Sequence, residues 1–379
     1  MNTERIGSIT TALVVGGGIG GMAAAISLAE RGVTVELIDI DPNWRVYGAG
    51  ITITGPTLRA YKRLGMLEAI KAEGAITNKT RLFRYDGTHI LDLDEPAIEE
   101  GLPATGGIMR PVLHRIMQAR VRELGISVRL GLSVSGLEIL DDQTLVNFSD
   151  GSNRTYDLVV GADSVFSGIR DLAFSHMGPA NPTGQGCWRI SIRKPPGLEF
   201  GEFFLGHANP CGITACAPDM VYMWMLTPHV ERKEHMSDDE LFVTFKHLLA
   251  DFGGNAGWIR DNMAPTDWIN YRPLAAVLQP KDWYKKRVVL LGDAVHATTP
   301  HLASGAGMAV ESGIVLAEEL TRTDDVAEGL RAYQERRFDR CRDVIETSVA
   351  VGQLQLEHGD PETHAELLGA ALHRLNAPF

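Results

Sequence analysis

The sequence predicts an α/β fold in which an antiparallel sheet is inserted into a layered domain that ends in helices. Short continuous apolar runs in both halves of the chain have the pattern of strands buried on both faces of a parallel sheet. Between about residues 180 and 275, short segments alternate with Pro, Gly and Asn, which is typical of antiparallel strands. After Gly305 the composition is helical. We expect the layered domain at 1–180 and 276–379, the inserted domain at 181–275, and an excursion into the inserted domain near 75–105.

The elements of the layered domain follow from the position of apolar runs and glycines. A helix is predicted at Met22–Arg31, directly after a glycine-rich turn, and Gly32 is expected to end it. The helix lies between two apolar runs that have the length of strands. The predicted buried strands are Thr11–Val15, Val33–Ile38, Tyr156–Val160 and Arg287–Leu291.

Composition and charge exclude several classes of protein. The chain has 36 Lys and Arg against 48 Asp and Glu, a net charge of −12 without a basic block, which argues against nucleic acid and membranes as partners. Four cysteines are too few for a disulfide framework, and Cys211 and Cys216 have no second pair to complete a zinc site. The start MNTERIGSIT has no apolar signal region, and the longest apolar run, Leu13–Ala29, is broken by glycines. We expect a reduced cytoplasmic protein without a metal.

The glycine-rich turn Gly16–Gly21 fits the pattern G-x-G-x-x-G between a strand and a helix. The first glycine permits a tight turn, the second lets the backbone approach a pyrophosphate, and the third lets the helix pack on the strand. Asp39 closes the next strand, 18 residues after Gly21, where a carboxylate can accept hydrogen bonds from a ribose. The pattern predicts a dinucleotide site without separating NAD from FAD. The alternative is a tight turn with an exposed Asp39.

Two later motifs end buried strands in acidic turns. One is Asp157–Asp163, which ends in Gly-Ala-Asp, and the other is Leu291–His296, which contains Gly-Asp-Ala and leads to Gly305–Gly307. Strand ends of α/β sheets bind ligands, so each carboxylate is a candidate ligand. The alternative for each is an Asp that caps the following helix. We expect His296 to be structural, packing near the second turn.

These three motifs, in this order and spacing, resemble the class A flavoprotein aromatic hydroxylases of the p-hydroxybenzoate hydroxylase fold, in the salicylate hydroxylase and 6-hydroxynicotinate monooxygenase branch. The resemblance implies an FAD-binding Rossmann-like domain, an inserted substrate domain, and NADH or NADPH and O2 as co-substrates. It also implies hydroxylation of a small electron-rich aromatic or N-heteroaromatic compound through a flavin C4a-hydroperoxide. The residues predicted to bind FAD are Gly16, Gly18, Ile19, Gly20, Gly21, Asp39, Arg45, Arg110, Asp163, Gly292, Asp293, Gly305, Ala306 and Gly307.

The sequence departs from the family pattern around the last long helix, where Glu311-Ser312 also stands at a place where an Asp often follows, and at Thr52. Many relatives carry Gly-Gln-Gly before the last long helix, whereas this chain has Ala-Ser-Gly-Ala-Gly at 303–307, so the glycines needed for a backbone cradle remain. Thr52 stands at a place that resembles the position of a histidine proposed to act as a base in the hydroxynicotinate enzymes. That role therefore does not transfer to this chain.

Candidate substrate residues come from the last strand end and from the inserted domain. His301 follows a proline at the mouth of that strand and is the candidate for proton transfer, with a capping role as the alternative. In the segment 220–225, alternation places Tyr222 and Trp224 on one face, where they could either stack on a planar ring or pack in a core. Arg189 is a candidate for binding a carboxylate, with a structural ion pair as the alternative. Thr52 completes the substrate-binding set.

Two other functions share these motifs. The fold could serve an epoxidase or a reductase that acts on an alkene, and the chain could be a non-catalytic flavin-binding module. Oxygen uptake and the oxygenated product would separate the enzymes, whereas a flavin-free inactive protein would favour the module. The sequence leaves the state of assembly open between a monomer and a homodimer.

Overall fold

The computed structural model describes residues 6–46, 48–231 and 236–379. The N-terminal segment 1–5, part of the stretch predicted to lack a signal region, lies outside the described residues. The strands are β1 (Thr11–Val15), β2 (Thr34–Asp39), β3 (Gly50–Thr54), β4 (Ala75–Thr77), β5 (Lys79–Arg84), β6 (His89–Asp94), β7 (Thr105–Met109), β8 (Ser127–Leu130), β9 (Val134–Ile139), β10 (Thr144–Phe148), β11 (Asn153–Tyr156), β12 (Leu158–Gly161), β13 (Asn181–Arg193), β14 (Gly201–Leu205), β15 (Cys211–Ala215), β16 (Met220–Pro228), β17 (Ile269–Leu278), β18 (Tyr284–Lys285) and β19 (Val288–Leu290).

The helices surround and follow these strands. They are α1 (Ile19–Ala29), α2 (Gly55–Arg63), α3 (Leu67–Glu73), α4 (Arg110–Glu123), α5 (Gly168–Ala173), α6 (Asp238–Leu248), α7 (Gly254–Asn262), α8 (Asp293–His296), α9 (Gly305–Thr321), α10 (Val326–Leu356) and α11 (Pro361–Leu375). A short 3₁₀ turn covers Pro300–Leu302. Within the described residues, no helix combines the length and apolar character needed to cross a membrane.

The layered domain is built on a six-stranded sheet of order β18-β19-β12-β1-β2-β8. Strands β8, β2, β1, β12 and β19 are parallel, and the two-residue edge strand β18 is antiparallel. The predicted α/β class is therefore confirmed. Helix α1 begins at Ile19, three residues before the prediction, because Gly18 is its N-cap and the last two glycines of the turn, Gly20 and Gly21, already lie in the helix. The predicted strand Tyr156–Val160 is divided at Asp157 between β11 and β12.

A seven-stranded sheet of order β17-β13-β16-β15-β14-β5-β6 forms the second layer. All of its pairs are antiparallel except β14 with β5, which joins strands more than 100 residues apart in the chain. One face is covered by α6 and α7, whose Phe245 and Ile259 form a buried core with Met223 and Met225 of β16. The other face lies toward the layered domain, so the two domains meet along a cleft beside β13, β15 and β16.

Two small sheets complete the fold. The hairpin strands β9, β10 and β11 form one antiparallel sheet beside the parallel sheet. The other has the order β3-β7-β4 and lies between the two large sheets. A contact between Thr52 of β3 and Thr214 of β15, with hydroxyl oxygens 3.3 Å apart, joins this small sheet to the seven-stranded sheet. The cleft is therefore walled by β3 on one side and by β15 and β16 on the other.

Candidate active site

The glycine-rich turn shows which of its glycines the protein needs for its own packing. Gly16 has a φ of +105°, and a Cβ there would lie 2.4 Å from the carbonyl oxygen of Ala162. A Cβ at Gly21 would lie 1.8 Å from the carbonyl oxygen of Gly16. A Cβ at Gly18, in contrast, would meet nothing within 4 Å. The backbone at Gly18 and the start of α1 at Ile19 are thus open, which is the arrangement that accepts a phosphate.

Asp39 is held beside the glycine-rich turn at the end of β2. Its carboxylate accepts hydrogen bonds from the N–H of Gly17 at 2.7 Å and from the N–H of Asp41 at 2.8 Å. The indole N–H of Trp44 donates to the carbonyl oxygen of Gly17 at 2.9 Å, and Nε2 of His114 lies 3.1 Å from the same oxygen. Sequence analysis missed Trp44 and His114, because neither stands at a fixed spacing from the motif. Together these contacts fix the turn and its acid in one orientation.

The two acidic strand-end turns differ in what their carboxylates do. Asp163 accepts hydrogen bonds from the hydroxyl of Ser167 and from the N–H of Ile169 at 3.0 Å, so it caps the start of α5. That is the alternative considered for this motif. Asp293 is the first residue of α8 and is exposed on the side of the turn that faces Arg110. Burial raises the pKa of Asp293, and Arg110 acts in the opposite direction.

A buried network lies directly behind the turn that presents Asp293. Gly292 has a φ of +64°, and its N–H donates to Nε2 of His296 at 3.2 Å. The hydroxyl of Ser312 on α9 lies 2.9 Å from the same nitrogen. Arg337 of α10 donates to Ser312 at 3.2 Å and pairs with Glu311 at 2.7 Å. The structural role expected for His296 is therefore to join the turn to α9 and α10.

Arg110 begins α4 and projects between the two domains. Its aliphatic stem lies against Gly48, where a Cβ would come within 3.0 Å of it and where φ is +141°. Burial and the neighbouring Arg189 lower the pKa of Arg110, whereas Tyr222 and Asp293 raise it. Arg110 thus interacts with the Asp293 turn and with the substrate domain together. Arg45, the other predicted arginine, is 56% exposed and lies 3.7 Å from Asp41.

The seven-stranded sheet brings the predicted substrate residues to one face. Trp224 of β16 lies opposite Arg189 of β13, and Tyr222 lies opposite Ser191 on the same face. Arg189 and Tyr222 are joined by a side-chain hydrogen bond. Burial raises the pKa of Tyr222 to about 12, while Arg189 and Arg110 act to lower it. This face meets Thr52, whose hydroxyl contacts that of Thr214. Thr214 lies opposite Tyr222 in the pairing of β15 with β16. Sequence analysis missed Thr214.

The last predicted residues lie near the start of α9. Gly307 is required by packing, because a Cβ there would lie 2.1 Å from the hydroxyl oxygen of Thr57 on α2. Gly305 and Ala306 are partly exposed in the first turn of α9. His301 is positioned differently: its Nδ1 lies 2.8 Å from the hydroxyl of Thr299 and its Nε2 lies 3.1 Å from the side-chain oxygen of Gln355 on α10. Burial lowers the pKa of His301 to about 4.

The arrangement fits a dinucleotide cofactor with a small substrate beside it. Open backbone at Gly18 and the acceptor Asp39 stand at one end, and Asp293 with Arg110 stands at the other. Arg110 then leads to Arg189 and Tyr222 across the cleft. Among the described residues, neither Arg110 nor Arg189 forms an ion pair with a carboxylate. Two partly buried cations without an ion-pair partner are costly in isolation, so this part of the cleft is suited to an anionic group.

Comparison with known proteins identifies the family. A family model described as FAD binding domain matches residues 9–348, which is most of the chain. The chain belongs to this FAD-binding family. It is 30% identical over 359 residues to YetM of Bacillus subtilis, whose name marks it as a candidate FAD-dependent monooxygenase, with 94% of this chain and 96% of YetM covered. It is also 30% identical over 354 residues to 2-heptyl-3-hydroxy-4(1H)-quinolone synthase of Pseudomonas aeruginosa, covering 91% and 89%.

A solved structure shows the same fold over the whole chain. Klebsiella pneumoniae HpxO, complexed with FAD and uric acid, superposes with a TM-score of 0.82 at 23% identity and covers 99% of this chain and 95% of its own. The resemblance to the class A flavoprotein aromatic hydroxylases is confirmed, and with it FAD as the cofactor. The protein is a flavin-dependent monooxygenase of this family.

Proposed function

We propose that this monooxygenase hydroxylates a small, electron-rich aromatic or N-heteroaromatic compound that binds as an anion. One atom of O2 enters the ring as a hydroxyl group, and the other leaves as water with the two electrons of NADH or NADPH. The observation that carries the proposal is the pair of partly buried arginines, Arg110 and Arg189, neither of which forms an ion pair with a carboxylate within the described residues.

The charge of the site favours a deprotonated substrate. A phenolate or a ring carboxylate between Arg110 and Arg189 would neutralise a like-charged pair in surroundings of low dielectric, where such interactions are strong. Tyr222 is hydrogen-bonded to Arg189 and stays protonated because burial raises its pKa to about 12. Its hydroxyl is thus available to orient the bound anion. Deprotonation makes the ring more electron-rich, which suits attack by an electrophilic oxygen.

Shape and polarity favour an aromatic ring. Tyr222 and Trp224 project from neighbouring positions of one strand face, and flat aromatic side chains stack well on a planar substrate. Thr214, beside Tyr222 on β15, and Thr52, across from it on β3, supply hydroxyl groups that can bind polar ring substituents. The name of the Pseudomonas aeruginosa relative refers to a hydroxylated N-heterocycle, a 3-hydroxy-4(1H)-quinolone, which agrees with this substrate class.

The predicted cofactor residues have separate tasks in holding FAD. Gly18 with the start of α1 would receive the pyrophosphate, Asp39 the adenosine ribose, and Asp293 with Arg110 the flavin half. When bound, FAD supplies the electron transfer from NADH or NADPH and the activation of O2. The protein's residues orient the ring, exclude water and hold the negative charge. Proton transfer by His301 remains a prediction, because its described contacts are with Thr299 and Gln355.

The proposal is tested by substrate-stimulated turnover. Purified protein is loaded with FAD, and NADH and NADPH oxidation and oxygen uptake are followed against a panel of hydroxybenzoates, hydroxypyridines and hydroxyquinolines. At least one anionic ring should accelerate both, with one oxygen atom added to the product. Arg189→Gln should raise KM for that ring by at least tenfold, whereas Arg193→Gln, an exposed arginine of the same strand, should not. Stimulation only by uncharged alkenes would refute the proposal.

A further inference from the structure

An apolar strip continues from the candidate site onto the open end of the seven-stranded sheet. We define the apolar strip as Leu82, Leu91, Leu93, Phe203 and Leu205. These side chains share one face, because Phe203 pairs with Leu82 and Leu82 pairs with Leu91 across β14, β5 and β6. All of these side chains are apolar. Four of them, Leu91, Leu93, Phe203 and Leu205, are 38–44% exposed, and no described segment covers them.

The opposite face of the same hairpin has a different character. Lys79 and Arg81 of β5 alternate with the residues of the strip and form ion pairs with Asp92 of β6. Edge strands normally carry such charges, which discourage pairing with other chains. The exposed apolar side chains of β5, β6 and β14 that form the strip therefore lie on the face that is continuous with the cleft, whereas Phe83 and Phe204 on the opposite face pack into the core with α6 and α7. Arg84, which pairs with Leu205, marks the polar end of the strip.

Trp224 connects the strip to the candidate site. Its ring meets Phe203 edge to face, with ring centroids 5.4 Å apart. This contact crosses β15 at Gly212, where a Cβ would lie 2.8 Å from the Trp224 ring. A glycine at this position therefore lets the indole lie flat over β15 and reach β14. The aromatic wall beside Arg189 and the strip thus form one continuous apolar surface.

We propose that the apolar strip binds an uncharged aliphatic tail carried by the aromatic substrate. This inference rests on the proposed function, since the ring occupies the wall formed by Tyr222 and Trp224. Four strand spacings separate β16 from β6, roughly 19 Å, so a chain of several carbons can extend from the ring along the sheet. A second copy of the protein is a poorer occupant, because a stable interface engages about 20–30 residues a side and the strip offers five.

The test uses a homologous series of 5-alkylresorcinols, from methyl to nonyl, as probes of binding to the FAD-loaded protein. Dissociation constants are read from the perturbation of flavin absorbance, which needs no turnover. Full burial of a methylene strengthens binding about fourfold, so the half-open strip should give about twofold for each added methylene. Phe203→Ser and Leu91→Ser should flatten this dependence. Val243→Ser, a change at a 64% exposed position on α6, should leave it intact.

The outcomes separate this inference from the proposed function. A dissociation constant that does not change with chain length, or a dependence that survives in both strip variants, overturns the tail-binding role, even if the aromatic panel gives turnover. The other possible occupant of the strip is a second copy of the protein. Sedimentation of the wild-type protein and of Leu91→Ser tests this by measuring the state of assembly of each. A dimer that dissociates in the variant would assign the strip to a contact between two copies and overturn the inference.

Discussion

The backbone N–H of Gly292 donates to Nε2 of His296 at 3.2 Å, so a buried histidine holds the residue that precedes Asp293. The Ser312 hydroxyl lies 2.9 Å from the same nitrogen. Since Nε2 accepts from the amide, the ring proton resides on Nδ1. Burial lowers the pKa of His296 to about 3, which keeps the ring neutral and able to accept. The orientation of the Asp293 turn therefore depends on a buried side chain that contacts Gly292 and Ser312.

His296→Phe tests this positioning role. The change preserves an aromatic ring but removes the acceptor for the Gly292 amide, which costs about 1–3 kcal/mol when a buried group loses its partner. We expect the dissociation constant for FAD to rise at least fivefold, measured by quenching of flavin fluorescence. His176→Phe, at an exposed histidine, is the matched control. Lower stability with unchanged FAD affinity would reduce His296 to a packing residue.

Gly18→Ala and Gly16→Ala should separate cofactor binding from folding. At Gly18 a methyl group meets nothing within 4 Å, so the free energy of unfolding of the FAD-free protein should change by less than about 1 kcal/mol. FAD affinity should nevertheless fall at least tenfold, because the methyl group blocks close approach of a pyrophosphate. At Gly16 the methyl group collides with Ala162, and stability itself should fall.

The two variants are compared by urea denaturation without FAD and by FAD titration. If Gly18→Ala binds FAD normally, the pyrophosphate lies elsewhere and the assignment of the turn is wrong. If Gly16→Ala is as stable as the wild type, the turn adapts more readily than its φ of +105° indicates.

Gly212→Ala should disturb the aromatic wall without disturbing the cofactor. The added methyl group would lie 2.8 Å from the Trp224 ring, so the indole must tilt away from β15. Overpacking of this kind costs about 1–3 kcal/mol. We expect KM for the aromatic substrate to rise about fivefold or more, because about 1 kcal/mol or more of contact with the ring is lost. FAD affinity should stay within a factor of two. Gly178→Ala, which meets nothing within 4 Å, is the control; equal KM values in both would contradict the prediction.

His301 should make the protein less stable as the pH falls. Its pKa is about 4 in the folded chain and about 6.5 when unfolded, so the unfolded state takes up the proton first. Stability is full above pH 6.5 and is lost as the pH falls toward 4, by about 2 kcal/mol at pH 5. Urea denaturation at pH 7 and pH 5 should show that His301→Gln loses less free energy of unfolding between the two pH values than the wild type does, by this amount. If the stability of the variant and the wild type depended on pH in the same way, the lowered pKa of His301 would be contradicted.

The same variant examines the proton-transfer hypothesis for His301. Glutamine can still bond with Thr299 and Gln355 but cannot carry a proton. A large fall in kcat with unchanged KM and normal stability at pH 7 would support a catalytic role. Unchanged kcat would assign His301 to the contact between the 3₁₀ turn and α10.

Local patterns predicted the elements that depend on neighbouring residues. The strand, turn and acid around Gly16 and Asp39 follow from backbone requirements that act within about 25 residues, and alternation placed Tyr222 and Trp224 on one face correctly. The boundaries of α1 were less accurate, since helix ends depend on how the turn packs against Ala162.

Features that depend on distant parts of the chain were not predictable. His301 turns toward Gln355, 54 residues later, and spacing gives no information about that contact. The unpaired state of Arg110 and Arg189 likewise becomes visible only when β13 and α4 are brought together across the cleft.

The order of the parallel sheet sets a schedule for the nascent chain. Strand β12 stands between β1 and β19, so the sheet is incomplete until residue 290 has been synthesised. At ribosomal rates of about 5–20 residues per second, β19 is synthesised roughly 15–55 s after β1, and β12 lacks its neighbour on that side until then. Chaperones have this interval in which to act. If Gly18 and Asp293 both hold FAD, as proposed above, the cofactor binds only after most of the polypeptide has been synthesised.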